Sequence, residues 1–507
     1  MRLTATLAAL IFSLAIAPAL AQDEAPGRPA FSPAPPIARE RTLPTKHTIQ
    51  LGGAPLAYTA TPGTLTVRDD ADNPIGSFFY VAYTKDDVEK SARPITFVYN
   101  GGPGSSSLWL HMGSIGPRRL NVADAVTPPP APYRISDNPS TLLDRSDLVF
   151  IDAMQTGYSR IGGHGTPKQF FGIDEDAAAF AKFVRRYLGA NDRWQSPKFL
   201  FGESYGTTRS AALAAVLQSQ GVALNGVTLL SSVLDFNTLS PGPGGEDLAY
   251  IGFFPTYAAS AWYHKRVPNR PTDLAAFVQT ARDFASGPYA SALIRETGLS
   301  AAERMSIAAR MHELIGLDTK YILAANLRIS PGRFEKELLR DRARTVGRLD
   351  SRYLGIDRDA AGESPEYDAT DSAITSAYTA TFNAYIHDEL KWQSDTEYLP
   401  TNYSVVNANW NFQRGRSRGA PNVAGDLREA MTRNPHLHLF SANGYYDLAT
   451  PFFATQYTLG HLGLDSSLQA NVRYGFYAAG HMIYMNPTEL AAFKRDLSSF
   501  YDESLAR

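Results

Sequence analysis

The stretch Phe199-Leu200-Phe201-Gly202-Glu203-Ser204-Tyr205-Gly206 decides how the rest of the chain is read. Three consecutive apolar residues suit a strand buried on both faces. They run into Gly-x-Ser-x-Gly, and Tyr205 to Leu217 is small and apolar, as a helix packed closely on a sheet requires. A strand, a glycine-flanked turn bearing serine, then a helix is the setting of a nucleophile elbow. The glycines permit a turn so tight that the serine hydroxyl is presented at the strand end. That hydroxyl is a poor nucleophile until a base takes its proton, and in this setting the chain order is serine, acid, histidine.

Both partners lie downstream in that order. His481 follows the strand-like run Val472 to Tyr477 and sits in Ala479-Gly480-His481-Met482. Asp447 lies just beyond the strand-like run His436 to Phe440. Both positions suit loops at the sheet edge that carries Ser204. His481 is the expected general base and acid, and Asp447 the residue that fixes its tautomer and orientation. Another histidine motif fails: His312-Glu313 is followed by Leu314-Ile315-Gly316, so the second zinc histidine is missing. No metal or other cofactor is expected.

Further short apolar runs end in glycine-rich or polar turns at Ile95 to Tyr99, Leu148 to Ile151 and Val227 to Leu230. Helical repeats lie between several of them, at Asp174 to Leu188 and, near the C-terminus, Pro487 to Leu505. Buried strands alternating with helices predict an α/β fold with a mostly parallel central sheet flanked by helices. The core is expected over 46–235 and 402–507. Residues 236–401 break the rhythm and read as a helical cap insertion. Within it, Pro271 to Phe284 places Leu274, Phe277, Val278 and Ala281 on one face, and Ser300-Ala301-Ala302-Glu303 is a capping box.

The chain begins Met1-Arg2, then is almost continuously apolar from Leu3 to Ile16 and ends that region in Ala19-Leu20-Ala21. This predicts a secretory signal peptide over 1–21, followed by a flexible Pro-rich leader over 22–45. The 507 residues contain no cysteine, which excludes disulfides, thiolate metal sites, a cysteine nucleophile and a lipoprotein anchor. Export without cysteine points to a bacterial periplasmic or secreted protein. With Lys+Arg 48 against Asp+Glu 50, the formal charge is −2. Nothing in that balance asks for nucleic acid or an anionic membrane. No later stretch has the apolar length of a membrane span, so no membrane partner is expected after signal cleavage. Oligomeric state is not encoded in any pattern.

A more specific motif is Asn100-Gly101-Gly102-Pro103-Gly104-Ser105-Ser106-Ser107. It resembles the Asn-Gly-Gly-Pro-Gly-Cys-Ser-Ser signature of serine carboxypeptidases. Thr156-Gly157-Tyr158-Ser159, Gly202-Glu203-Ser204-Tyr205-Gly206 and Ala479-Gly480-His481-Met482 are similar to further blocks of that family, in the same order. The resemblance implies an α/β-hydrolase fold, removal of C-terminal residues from peptides, and Ser204, Asp447 and His481 as the triad. It implies an oxyanion hole at the N–H groups of Gly102 and Tyr205, and substrate binding by Asn100, Gly101 and Glu203. Glu203 shares a proton in the family with a second glutamate of a Glu-x-Gly-Pro segment. Here that segment reads Ser114-Ile115-Gly116-Pro117. Arg118 and Arg119 follow at once; they form either a solvated surface pair or a substitute for carboxylate recognition through Arg118 or Arg119, because arginine binds carboxylates bidentately. The altered position also admits an esterase or acyltransferase on the same scaffold.

Overall fold

The computed structural model describes residues 35–241, 246–415 and 419–506. The signal peptide expected at 1–21, and the leader as far as residue 34, lie outside the described residues. The main strands are β1 (Thr45–Leu51), β2 (Ala54–Arg68), β3 (Pro74–Lys85), β4 (Ile95–Tyr99), β5 (Asp147–Ile151), β6 (Lys198–Glu203), β7 (Gly226–Leu230), β8 (His438–Gly444) and β9 (Val472–Tyr477). They lie side by side in the order β1-β2-β3-β5-β4-β6-β7-β8-β9, and Arg160–Ile161 adds a short tenth strand against β3. The first three pair antiparallel, and from β5 to β9 every neighbour is parallel. This is the α/β-hydrolase fold.

Strands β4, β5, β6 and β7 are buried along their whole length, which is why they read as continuous apolar runs instead of alternating ones. Successive side chains still point to opposite faces. Phe199 and Phe201 join a core with Phe493, Leu497 and Phe500 of the C-terminal helix Pro487–Leu505. Leu200 joins the other core with Phe180, Phe183 and Leu213 of helices Ile173–Ala190 and Tyr205–Ser219. The sheet is thus covered on both sides, and its C-terminal strand edge is left for loops.

Residues 248–388 are dominated by helices, and their packing divides. Leu248–Tyr263, Leu274–Phe284 and Ala301–Ile315 share a separate core around Phe254, Tyr257, Phe284 and Leu314. Ser300 and Glu303 form the capping box expected there, with the Ser300 hydroxyl accepting from the Glu303 N–H at 3.2 Å. The last long helix, Ala369–Asp388, instead packs into the main core, where Tyr378 meets Trp109 with ring centroids 5.2 Å apart.

Two sequence boundaries differ from expectation. Residues 40–45 are tied to the sheet and are not loose: the Thr66 N–H donates to Glu40 at 2.7 Å, Thr42 bridges Gly63, and β1 starts at Thr45. They complete backbone bonding along an edge that would otherwise be bare. The end of the insertion is also stitched to the core. Asn402 N–H donates to Gly104 O at 2.7 Å, and Ser106 N–H to Pro400 O at 3.0 Å. No helix among the described residues is long and apolar enough to cross a membrane.

Candidate active site

Ser204 directly follows β6, with φ 60° and ψ −130°. A non-glycine residue with positive φ is uncommon and marks stored strain. Only small neighbours allow the turn: a Cβ on Gly202 would lie 2.2 Å from the carbonyl oxygen of Gly206. The Ser204 N–H is held by Leu230 O at 3.0 Å. Ser204 and His481 line one cavity of about 410 Å³ together with Asn100, Gly101, Gly102 and Glu203.

The imidazole of His481 meets Asp447 through Nδ1 and Oδ2 at 2.8 Å. Asp447 is fully buried, and its carboxylate accepts from the N–H groups of Ala449 at 2.8 Å and Thr450 at 3.0 Å and from the Thr450 hydroxyl at 2.7 Å. These donors fix the orientation of the carboxylate beside the imidazole. Burial lowers the pKa of His481, but the charge and hydrogen bond of Asp447 outweigh it and the net shift is upward. The three side chains expected as nucleophile, acid and base are therefore brought to the same strand edge.

The Asn100–Gly104 loop approaches the elbow closely. A Cβ on Gly101 would lie 2.4 Å from the Tyr205 nitrogen, so only glycine fits. Gly102 lines the cavity, with φ +106°. Asn100 is fixed from behind, where Arg209 donates to its carbonyl at 2.7 Å. Arg209 is itself wholly buried and paired with Asp176 at 2.7 Å. The Asn100 side chain donates through Nδ2 to Glu203 at 2.9 Å and accepts from the Leu110 N–H at 3.1 Å.

Glu203 is the buried acid of the site. Tyr484 donates to it at 2.9 Å, and burial pushes its carboxyl up to about 7 despite the pull of His481, Tyr484 and Asn100. Ser114 is not its partner, because the Ser114 hydroxyl is spent on Leu110 O at 2.7 Å. Tyr484 occupies that role, a residue the sequence reading missed because it lies three residues beyond His481 and far from Glu203 in the chain. Arg118, expected to recognise a carboxylate, is elsewhere: its guanidinium is held by Asp137 at 2.5 Å and Glu389 at 2.9 Å, and it does not line the cavity. Arg119 does not line it either. Local strand pairing explains the displacement, since Arg118–Leu120 and Ile135–Asp137 form a small antiparallel ribbon that points Arg118 at Asp137.

The insertion contributes a turn that sequence gave no reason to suspect. Leu349 O accepts the His481 N–H at 2.7 Å, Arg348 O accepts the Leu448 N–H at 3.0 Å, and Ser351 N–H donates to Tyr446 O at 3.0 Å. The turn thus holds His481 directly and brackets Asp447 from both sides. It is pinned in turn by Asp368, which accepts from the N–H groups of Arg348 at 3.0 Å and Leu349 at 3.1 Å and caps helix Ala369–Asp388 through the Thr370 N–H at 2.9 Å.

Fold and elbow together define an α/β-hydrolase. A family model described as serine carboxypeptidase matches residues 54–242, so that stretch is similar to the serine carboxypeptidase family. The chain is 24% identical over 182 residues to the pheromone-processing carboxypeptidase kex1 of Aspergillus niger, covering 36% of this chain and 28% of that protein. It is 30% identical over 183 residues to the pheromone-processing carboxypeptidase KEX1 of Komagataella phaffii, covering 35% and 27%. The matches thus span little more than a quarter of these curated relatives. Among solved structures, a prohormone-processing carboxypeptidase from Saccharomyces cerevisiae aligns with TM-score 0.55 at 16% identity, over 88% of this chain and 91% of that one, which is a likeness of fold.

Proposed function

We propose that the protein is an exported serine carboxypeptidase that removes C-terminal residues from peptides. The observation that carries this reading is one cavity holding Ser204, His481 and the buried Asn100–Glu203 pair. The first two serve acyl transfer, and the pair offers hydrogen bonds to a terminal carboxylate beside the scissile bond. Ser204 Oγ attacks the peptide carbonyl while His481 Nε2 takes its proton and Nδ1–H remains on Asp447. The oxyanion is received by the N–H groups of Gly102 and Tyr205. His481 then protonates the departing amine, leaving an acyl-enzyme that water hydrolyses. Residues 1–21 support export, and the absence of cysteine a bacterial periplasmic or secreted location.

An esterase or acyltransferase is the second reading, favoured by serine at position 114, which leaves Glu203 without an acidic partner there. Fluorophosphonate labelling, and its loss in Ser204→Ala, tests the nucleophile. Turnover of a blocked dipeptide, its C-terminal amide and a simple ester then separates the readings. A carboxypeptidase prefers the free acid, whereas turnover of the ester alone refutes the peptide assignment.

A further inference from the structure

We propose that Arg348, supplied by the insertion, binds the terminal carboxylate of the peptide substrate, a role that rests on the carboxypeptidase reading. Arg348 lines the catalytic cavity with Ser204, His481 and Asn100. Its side chain is exposed there, and its guanidinium makes no hydrogen bond or ion pair among the described residues. That sets it apart from Arg118, Arg209, Arg328 and Arg352, all of which are held by carboxylates. A guanidinium left open in a cavity is a bidentate receptor for a planar anion.

Its placement is fixed although its head is free. The Arg348 backbone is bonded through its N–H to Asp368 and through its carbonyl to Leu448, and the carbonyl of the next residue holds His481. Arg348 is therefore tethered one residue from the carbonyl that holds His481, and no other lysine or arginine lines the cavity. Arg348 is close enough to lower the His481 pKa by its charge.

None of the surrounding acids is paired with that guanidinium. Both oxygens of Asp368 are occupied by backbone N–H groups. Asp371 accepts the Thr375 hydroxyl at 3.2 Å, and burial together with Asp368 raises its pKa. Glu335, which also feels Arg348, is pushed up to about 8 by burial and is neutral near neutral pH. Glu203, pushed up to about 7, is only half ionised there. A carboxylate entering between Asn100 and Arg348 thus meets a fixed amide, a partly protonated acid and a guanidinium that no carboxylate already holds. This supplies the anion recognition that the serine at position 114 and the displaced Arg118 do not.

The test compares Arg348→Gln and Arg348→Lys with the unaltered enzyme on N-blocked dipeptides ending in a free acid or an amide, and on free acids ending in Glu or Gln. The expected result is a rise of about ten- to hundredfold in KM for the free acids in Arg348→Gln, with kcat little affected, as loss of a charge-assisted contact implies. The preference for acid over amide falls by the same factor, and lysine restores part of it. An equal loss on acid and amide overturns the proposal, as does a loss confined to peptides ending in Glu, which would assign Arg348 to a side chain. Failure of the carboxypeptidase reading itself is distinguishable, because the unaltered enzyme would then show no preference for free acids.

Discussion

Glu203→Gln probes the most unusual electrostatic feature of the site. Glu203 is 3% exposed, and its contacts are the neutral donors Asn100 and Tyr484. Burial lifts its carboxyl from 4.5 to about 7, which corresponds to about 3 kcal/mol favouring the protonated over the ionised form. The native chain keeps a proton that the unfolded chain has released once the pH exceeds the ordinary carboxylate value. Stability is therefore highest in acid, falls as pH rises from about 4.5 to about 7, and then levels. The glutamine variant has no such proton and should lack this component. For a chain of this size, with an unfolding entropy of roughly 2 cal/mol/K per residue, about 3 kcal/mol is a shift of about 3 °C in Tm. Thermal unfolding of both proteins from about pH 5 to about pH 8 should show the variant gaining about 3 °C relative to the unaltered protein. Parallel Tm curves across that range would refute a buried, proton-holding Glu203.

Asp447→Asn should leave the fold intact and lower kcat by about 10⁴, because the base loses its tautomer control, as steady-state kinetics on the best peptide would report. Gly101→Ala places a methyl against the Tyr205 nitrogen; displacing an oxyanion donor should lower kcat by roughly 10² to 10³, and unaltered kcat would show that the loop does not shape that hole. Arg209→Met strands the buried Asp176 carboxylate and should cost roughly 3–5 kcal/mol, whereas adding Asp176→Leu recovers much of it; denaturant unfolding of the single and double variants reads the difference.

Much of the site was legible because its signals are local. The elbow is five consecutive residues, and Ser204 adopts positive φ within them. His481 and Asp447 each follow a strand of the sheet, so reading the strands located the pair that the fold brings together. The buried strands were legible for the same reason, with both faces apolar. What stayed hidden depends on contacts between distant segments. Tyr484 reaches Glu203 across 281 positions, and neither residue type nor spacing announces the pair. Arg348 lies in a stretch with Arg340, Arg342 and Arg344, and only its place in the cavity with Ser204 and His481 singles it out. Arg118 was the natural expectation from its place after Gly116-Pro117, yet a three-residue ribbon turned it to Asp137. The N-terminal residues 40–45 carry the composition of a linker, and their order comes from the edge strand they accompany.

The turn at 348–351 bears on how such enzymes can be rebuilt. A chimera that keeps Ser204, Asp447 and His481 but exchanges residues 236–401 for another lid removes the carbonyl of Leu349 from the His481 N–H and both backbone bonds that flank Asp447. A Cβ on Gly480 would lie 2.4 Å from the Asp350 side chain, so the histidine loop is also moulded to this turn sterically. The insertion is therefore not an interchangeable module: grafts should splice around residues 347–351 and leave that turn with the hydrolase core, and variation in the insertion's length should be accommodated in the helices before it.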